Sequence, residues 1–187
     1  MKYLIAGLGN IGAEYDNTRH NIGFDVLNHI AKEFGEKFET ERLASVCKFK
    51  TKGRTFVLIK PTTYMNLSGR AVKYWMDAEK VPIEKVLVVT DDLALDLGSL
   101  RMRKKGSPGS HNGLENIIQV LGRNDFARLR FGIGNDYSRG RQADFVLSPW
   151  KASELPIIDE KISIAADMVI AYGTIGIDRT MNQFNKK

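Results

Sequence analysis

LIAGLGNIG, residues 4–12, joins a short apolar run directly to three glycines, Gly7, Gly9 and Gly12. An apolar run that ends in glycine predicts a buried strand followed by a tight loop. The spacing G-x-G-x-x-G is also typical of a loop that binds a dinucleotide pyrophosphate at the N-terminus of a helix. That second interpretation requires a helix that begins at the glycines and an acidic residue about 20 positions further on, at the end of a second strand.

The residues that follow the glycines meet neither requirement. Residues 13–21, AEYDNTRHN, carry no apolar periodicity, and helical spacing begins only after them, over residues 21–34. The position of the expected acidic residue therefore falls inside a helix. The glycines predict a loop above a strand end that presents Asn10, Tyr15 and His20. We consider three function classes for this chain, and a nicotinamide or flavin oxidoreductase is the least favoured of them; the other two are a hydrolase and a non-catalytic binding protein.

Length and composition are typical of one globular domain. The chain has 187 residues, 43% hydrophobic and 27% charged, and we expect a single domain over residues 1–187. No apolar run approaches the roughly 20 residues of a membrane helix, and the N-terminus lacks the apolar core of a signal peptide. The single cysteine, Cys47, excludes an internal disulfide framework and a multi-cysteine zinc site. We therefore expect a cytoplasmic protein without membrane association, and the net charge of +6 favours a polyanionic partner.

Strands and helices alternate along the rest of the chain, with one predicted hairpin. This pattern predicts an α/β fold in which a single-domain mixed sheet is flanked by helices on both faces, in three layers. Ser148-Pro149 predicts the start of a helix. Polar loops follow the strands that end near residues 7, 60 and 90, and binding sites in such sheets collect beyond the carboxyl ends of the strands. The predicted strands cover residues 2–7, 43–50, 54–60, 85–90, 99–105 and 127–134, and the better-defined helices cover 21–34, 112–121 and 155–170.

Histidine and aspartate residues in these loops indicate acid–base chemistry. His29 lies on the polar face of the first helix, whereas His20 and His111 lie in polar loops near glycines. Asp91 follows a buried strand and could orient either imidazole, because a carboxylate fixes the tautomer of its histidine partner and stabilises the imidazolium. The sequence has no G-x-S-x-G nucleophile and no metal-ligand spacing, so water is the expected nucleophile and hydrolysis the expected reaction class.

Asparagines stand in the same set of loops. The carboxamides of Asn10, Asn66 and Asn112 can both donate and accept hydrogen bonds, so they suit a peptide-like substrate or an oxyanion. Each of them could instead be a turn or capping residue. Met65, beside Asn66, could form an apolar wall under the substrate.

Basic residues recur at alternate positions on predicted strands. Alternation places Arg101 with Arg103, and Arg128 with Arg130, on shared faces. Rows of this kind suit contacts to phosphates.

Several stretches together resemble the bacterial peptidyl-tRNA hydrolase family, in its order and spacing, over essentially the whole chain. The resemblance implies a monomeric, single-domain α/β enzyme that cleaves the ester between a peptide and the terminal ribose of tRNA. Such an enzyme recycles tRNA from prematurely released peptidyl-tRNA and uses no metal or organic cofactor. The matching stretches are GLGNIGAEYDNTRHNIGFDVL, KPTTYMNLSG, VLVVTDDLALDLGSLRMR, GSHNGLENI and RLRFGIG.

The resemblance also implies roles for individual residues. His20 matches the general base, Asp91 the carboxylate that orients it, and Asn10 a residue that helps to distinguish blocked from free aminoacyl-tRNA. The positions that match substrate contacts are Tyr15, Tyr64, Asn66 and Asn112. Those that match residues lining the cleft are Met65 and His111. Those that match residues meeting tRNA phosphates are Arg101, Arg103 and Arg130.

The chain departs from the family pattern at a few loop positions. Ile11 stands where proline is usual, which predicts a less rigid Asn10 loop, and Ala94 and Asp96 stand where Asp and Pro are common. The alternative function is a non-catalytic RNA-binding protein on the same fold. Such a protein would keep the basic faces but would not need the histidine–aspartate pair. The presence together of His20, Asp91, Asn10, Asn66 and Asn112 therefore favours the hydrolase.

Overall fold

Within residues 1–185, which the computed structural model describes, seven strands form one mixed sheet in the order β2-β3-β4-β1-β5-β7-β6. The four central neighbours, β4, β1, β5 and β7, run parallel, and the strands toward each edge pair antiparallel. The strands are β1 (Lys2–Gly7), β2 (Glu39–Thr40), β3 (Ala44–Thr51), β4 (Arg54–Pro61), β5 (Val86–Asp92), β6 (Leu100–Arg103) and β7 (Ala127–Gly132).

Helices cover both faces of this sheet. Alternate residues of β1 point to opposite sides: Ile5 packs in a core cluster with α1 and α5, while Leu4 and Ala6 pack in a second cluster with α2 and α3. The predicted three-layer α/β fold is therefore confirmed. The helices are α1 (Ile22–Glu33), α2 (Ser68–Glu79), α3 (Asn112–Leu121), α4 (Gln142–Val146), α5 (Leu155–Ile175) and α6 (Ile177–Phe184). No helix of the described residues is both long and apolar enough to cross a membrane.

The first glycine of the opening motif allows close helix packing. A Cβ atom on Gly7 would lie 2.4 Å from the carbonyl oxygen of Gly23, and one on Gly23 would lie 2.5 Å from the amide nitrogen of Leu8. Non-bonded contacts this short are essentially never made by real Cβ atoms. The helix α1 can therefore approach the end of β1 only because both positions lack a side chain. The chain between them is a loop with short 3-10 turns, as the absent periodicity predicts.

The helix start predicted at Ser148-Pro149 is wrong. Ser148 lies in a bend and Pro149 in an isolated bridge, and both pair with the turn that precedes α1: the amide of Arg19 donates to the carbonyl oxygen of Ser148 (3.0 Å), and Thr18 forms the bridge with Pro149. The long helix, α5, begins instead at Leu155 with a proline in its first turn. A tertiary pairing thus overrides the local capping signal.

Candidate active site

A cleft of about 730 Å³ opens beyond the carboxyl ends of the central parallel strands. Loops after β1, β4, β5, β6 and β7 contribute to it, as does α4. The structure brings together most of the predicted site residues in its lining, namely Asn10, His20, Tyr64, Met65, Asn66, Asp91, His111, Asn112 and Arg130. Tyr15, Arg101 and Arg103 lie outside the lining.

Asp91 lies at the floor of the cleft and binds both loop histidines. Its Oδ2 is 2.8 Å from Nδ1 of His20, and its Oδ1 is 2.8 Å from Nε2 of His111. The carboxylate is 4% exposed and sits at the end of β5. The sequence left open which histidine pairs with Asp91, and the structure shows that one carboxylate serves both.

The hydrogen bonds of His111 define its tautomer. Its Nδ1 accepts from the amides of Gly113 (3.1 Å) and Leu114 (3.2 Å), so its side chain caps the N-terminus of α3. Because Nδ1 carries a lone pair, Nε2 must carry the hydrogen that is donated to Asp91. His111 is therefore a neutral donor that fixes one oxygen of the carboxylate.

His20 is arranged as a base. Its Nδ1 donates to Asp91, which leaves the lone pair on Nε2 available in the cleft. Burial lowers the pKa of His20, but the charge of Asp91 and the hydrogen bond to it raise the pKa more, so that it lies above its ordinary value. Burial alone would raise the pKa of Asp91; the charge of His20 and the hydrogen bonds from both histidines instead hold it well below the usual range.

The carboxamide of Asn10 is held in one orientation. Its Oδ1 accepts from the amide of Met65 (2.7 Å), which leaves the two N–H groups of Nδ2 as the free end. Asn21 holds the backbone of the same residue from both sides, accepting from its amide (2.8 Å) and donating to its carbonyl oxygen (2.9 Å). None of these hydrogen bonds involves residue 11, so they hold the loop without the proline that is usual in the family.

The remaining amides are available to a substrate. Among the described residues, no hydrogen bond occupies the carboxamide of Asn66 or Asn112, and both side chains line the cleft. Tyr64 is 56% exposed at the rim, whereas Met65 is 4% exposed beneath it. The cleft thus combines an apolar wall with unpaired carboxamides near a base, as ester or amide hydrolysis requires.

Comparison with known proteins agrees with this geometry. The family model described as peptidyl-tRNA hydrolase matches residues 4–187. The chain is 54% identical to the peptidyl-tRNA hydrolase of Cytophaga hutchinsonii and 51% identical to that of Bacteroides fragilis, each over 187 residues and the full length of both chains. This chain belongs to the peptidyl-tRNA hydrolase family. A crystal structure of the peptidyl-tRNA hydrolase from Acinetobacter baumannii superposes with a TM-score of 0.92 at 33% identity, covering 98% of this chain and 94% of that one.

The histidine–aspartate cluster of this family member also has the spacing of a metal site. One ligand atom from each of His20, Asp91 and His111 lies within 4.8 Å of the others. A metal ion would need a lone pair on Nε2 of His111, whereas the cap on α3 keeps a hydrogen there. The donor set therefore fits a proton-transfer site better than a metal.

The predicted basic residues differ in their surroundings. Arg130 lines the cleft and pairs with Asp92 (3.1 Å), and Arg101 lies beside it in the β6–β7 register. Arg103 is exposed on β6 and lies beside Arg128.

The prediction that Arg128 contacts a phosphate is wrong. It is fully buried, and its guanidinium donates to the carbonyl oxygens of Gly106 (2.9 Å) and Asn124 (2.6 Å). Strand alternation places its Cβ correctly but does not show that a loop closes over the side chain.

Sequence reasoning missed one side of the cleft. α4 and the loop before it have no clear periodicity and gave no structural signal, although they contribute several lining residues. It also missed Asn21, for which the only signal is its position directly after His20. The missed lining residues of this side are Asn135, Tyr137, Gln142, Ala143, Val146 and Leu147.

Proposed function

We propose that this chain hydrolyses the ester bond between tRNA and the peptide, or N-blocked amino acid, of peptidyl-tRNA, and so returns prematurely released tRNA to use. The observation that carries the proposal is the His20–Asp91 pair, which lies in a cleft with free carboxamides. Membership of the peptidyl-tRNA hydrolase family supports the same substrate. We further propose that the enzyme acts as a cytoplasmic monomer without a metal or organic cofactor.

The reaction uses His20 first as a base and then as an acid. Nε2 takes a proton from a water molecule, and the resulting hydroxide attacks the ester carbonyl carbon. Asp91 stabilises the imidazolium that forms. When the tetrahedral intermediate collapses, the bond to the ribose oxygen breaks and the imidazolium returns its proton to that oxygen. The amide N–H groups of Asn66 and Asn112 are available donors for the oxyanion.

Asn10 supplies selectivity for a blocked amino group. Within residues 1–185 its Oδ1 is occupied and its Nδ2 has no partner, so Nδ2 can donate to the carbonyl oxygen of an N-acyl group or peptide bond. A free aminoacyl ester presents an ammonium group instead, which offers donors and no acceptor. Two donors facing each other repel, so the free ester is rejected.

Replacing Asn10 with Asp tests this role. The carboxylate still accepts from the amide of Met65, but its second oxygen cannot donate and attracts an ammonium group. We expect the preference for N-acetyl-aminoacyl-tRNA over free aminoacyl-tRNA to fall about 10- to 100-fold, measured as the ratio of kcat/KM values. Asn28→Asp, on the outer face of α1, is the matched control. An unchanged ratio in Asn10→Asp would exclude this role.

Electrostatic contacts bring the tRNA to the cleft. Arg130 at its edge, with Arg101 and Arg103 on the adjacent strand, suits the phosphates of the acceptor end. We retain Tyr15, Tyr64 and Met65 as substrate contacts. For Tyr15, which lies outside the cleft lining, this contact rests on the family resemblance.

Release of N-acetylated amino acids from tRNA tests the function directly. We expect rapid cleavage of N-acetyl-aminoacyl-tRNA and slow cleavage of the free aminoacyl ester. Tight tRNA binding without cleavage would instead support the alternative of a non-catalytic RNA-binding protein. Binding of a nicotinamide or flavin nucleotide, checked by fluorescence, would point to the oxidoreductase class.

A further inference from the structure

The residue that precedes the base has an unusual environment. Arg19 is 2% exposed, although it is an arginine in the short turn that carries His20. Its Nε donates to Oγ of Ser148 (3.1 Å) and its Nη1 donates to Oε1 of Glu154 (2.9 Å). The guanidinium carbon also lies 4.5 Å from the ring centre of Phe145 and 4.9 Å from that of Trp150.

The side-chain contacts of Arg19 lie on one stretch of chain, from Phe145 to Glu154, the residue that directly precedes α5. The residues just before and within the first part of this stretch form a side of the cleft. We name residues 142–150 the α4 wall. Its front consists of the cleft-lining residues Gln142, Ala143, Val146 and Leu147. Phe145, Ser148 and Trp150 do not line the cleft and instead contact Arg19. Arg19 thus holds the back of the surface that faces the substrate.

The backbone joins the same two parts. The amide of Arg19 donates to the carbonyl oxygen of Ser148 (3.0 Å), and Thr18 forms a bridge with Pro149. Glu154 extends the connection, because its Oε1 also accepts from the amide of Lys151 (2.7 Å). The His20 turn and the α4 wall therefore meet through main chain and side chain at one point.

Arginine is the side chain that suits this position. Its planar guanidinium can donate from its edge to a hydroxyl and a carboxylate while its faces contact aromatic rings. Lysine keeps the charge, but its single ammonium group cannot make the edge and face contacts together.

We propose that Arg19 is a positioning residue for ester hydrolysis: it fixes the distance between the base, His20, and the α4 wall against which the substrate lies. This inference rests on the proposed function. Small displacements of a base relative to a bound ester reduce turnover strongly, by as much as about 100-fold per ångström.

Arg19→Lys tests the proposal with two readouts. We expect kcat for N-acetyl-aminoacyl-tRNA to fall about 10- to 100-fold. KM should change less than about threefold, because remote phosphate contacts dominate tRNA affinity. By NMR, the ring signals of His20 should shift or broaden, while those of His29, which pairs with Glu33 on the surface, stay unchanged. The ring signals do not depend on turnover, so they test Arg19 even if the proposed function fails.

Arg141→Lys is the matched control. Arg141 pairs with Asp144 (3.0 Å) beside the α4 wall, but both side chains are about two-thirds exposed, at 67% and 66%. The kcat of Arg141→Lys should stay within about twofold of wild type. A merely structural Arg19 would lower Tm in Arg19→Lys yet leave the folded enzyme with wild-type kcat and His20 signals. Either readout at its wild-type value overturns the proposal. If Arg19→Lys does not fold, the same two readouts on Glu154→Gln decide it.

Discussion

Replacement of His20 by alanine is expected to lower kcat for N-acetyl-aminoacyl-tRNA by about 100- to 10,000-fold. The variant loses the only side chain that presents a free imidazole lone pair in the described cleft, since Nδ1 of His111 caps α3 and its Nε2 donates to Asp91. The attacking water must then lose its proton to solvent instead of to a positioned base. Steady-state release of the N-acetylated amino acid at saturating substrate measures the effect.

His29→Ala is the control for the loss of an imidazole. His29 pairs with Glu33 one helical turn away, at 2.9 Å on the partly exposed face of α1, and kcat should stay within about twofold of wild type. Circular dichroism and filter binding of tRNA should show that His20→Ala is folded and still binds. If folded His20→Ala retains kcat within about tenfold of wild type, general-base catalysis by this residue is wrong.

Asp91→Asn is expected to lower kcat nearly as much as His20→Ala does, by about 100- to 10,000-fold. His111 remains a donor because α3 fixes its tautomer, so the carboxamide oxygen of Asn turns toward it. The NH₂ group then faces His20, and Nδ1 must become an acceptor. The proton moves to Nε2, the nitrogen that should take the proton from water.

A double variant tests that orientation argument. His111→Asn keeps a side-chain cap on α3 but cannot reach Asp91 as an imidazole does. With His111 gone, the carboxamide at position 91 can turn its oxygen toward His20 and restore the active tautomer. We therefore expect Asp91→Asn to reduce kcat less in the His111→Asn background than in wild type, as the double-mutant cycle measures. Equal losses in both backgrounds would contradict the fixed tautomer.

The pH profile gives an independent readout. The base must be neutral, so kcat/KM of the wild type falls as the pH drops through the pKa of His20, which lies above its ordinary value. Asp91→Asn removes the charge that raises this pKa and leaves the burial that lowers it. The acid limb should therefore move to lower pH, although the maximal rate is smaller. A limb that stays in place or moves upward would show that Asp91 does not set this pKa.

The sequence predicted most of the sheet because its signals are local. Residues 4–6 and 86–89 are uninterrupted apolar runs, and parallel strands bring their carboxyl ends to one edge. That geometry places Asn10, His20 and Asp91 together before any side chain is known. The second partner of Asp91 could not be decided in this way, because a carboxylate has two oxygens and both loops reach it.

The parts that were not predicted depend on tertiary contacts. Ser148-Pro149 has a helix-start pattern, yet its backbone pairs with residues 18–19 from the other end of the chain. Arg128 alternates correctly on β7, yet a loop supplies carbonyl oxygens to its guanidinium. In both cases the contact that decides the structure is with a residue distant in sequence. Neither hydrophobic periodicity nor residue propensity identifies such a residue.

The contact between Gly7 and Gly23 also limits how this protein can evolve. Each position already has the smallest residue, so a larger side chain at one cannot be accommodated by a smaller one at the other. No single substitution at either position preserves the contact, and His20, the proposed base, lies only three residues before Gly23. Variation near the active site is therefore expected at solvent-facing positions such as Ile11, which is 46% exposed and already differs from the usual family residue. The first glycine of a pattern that resembles a nucleotide fingerprint is thus required by the close approach of a helix, not by a nucleotide.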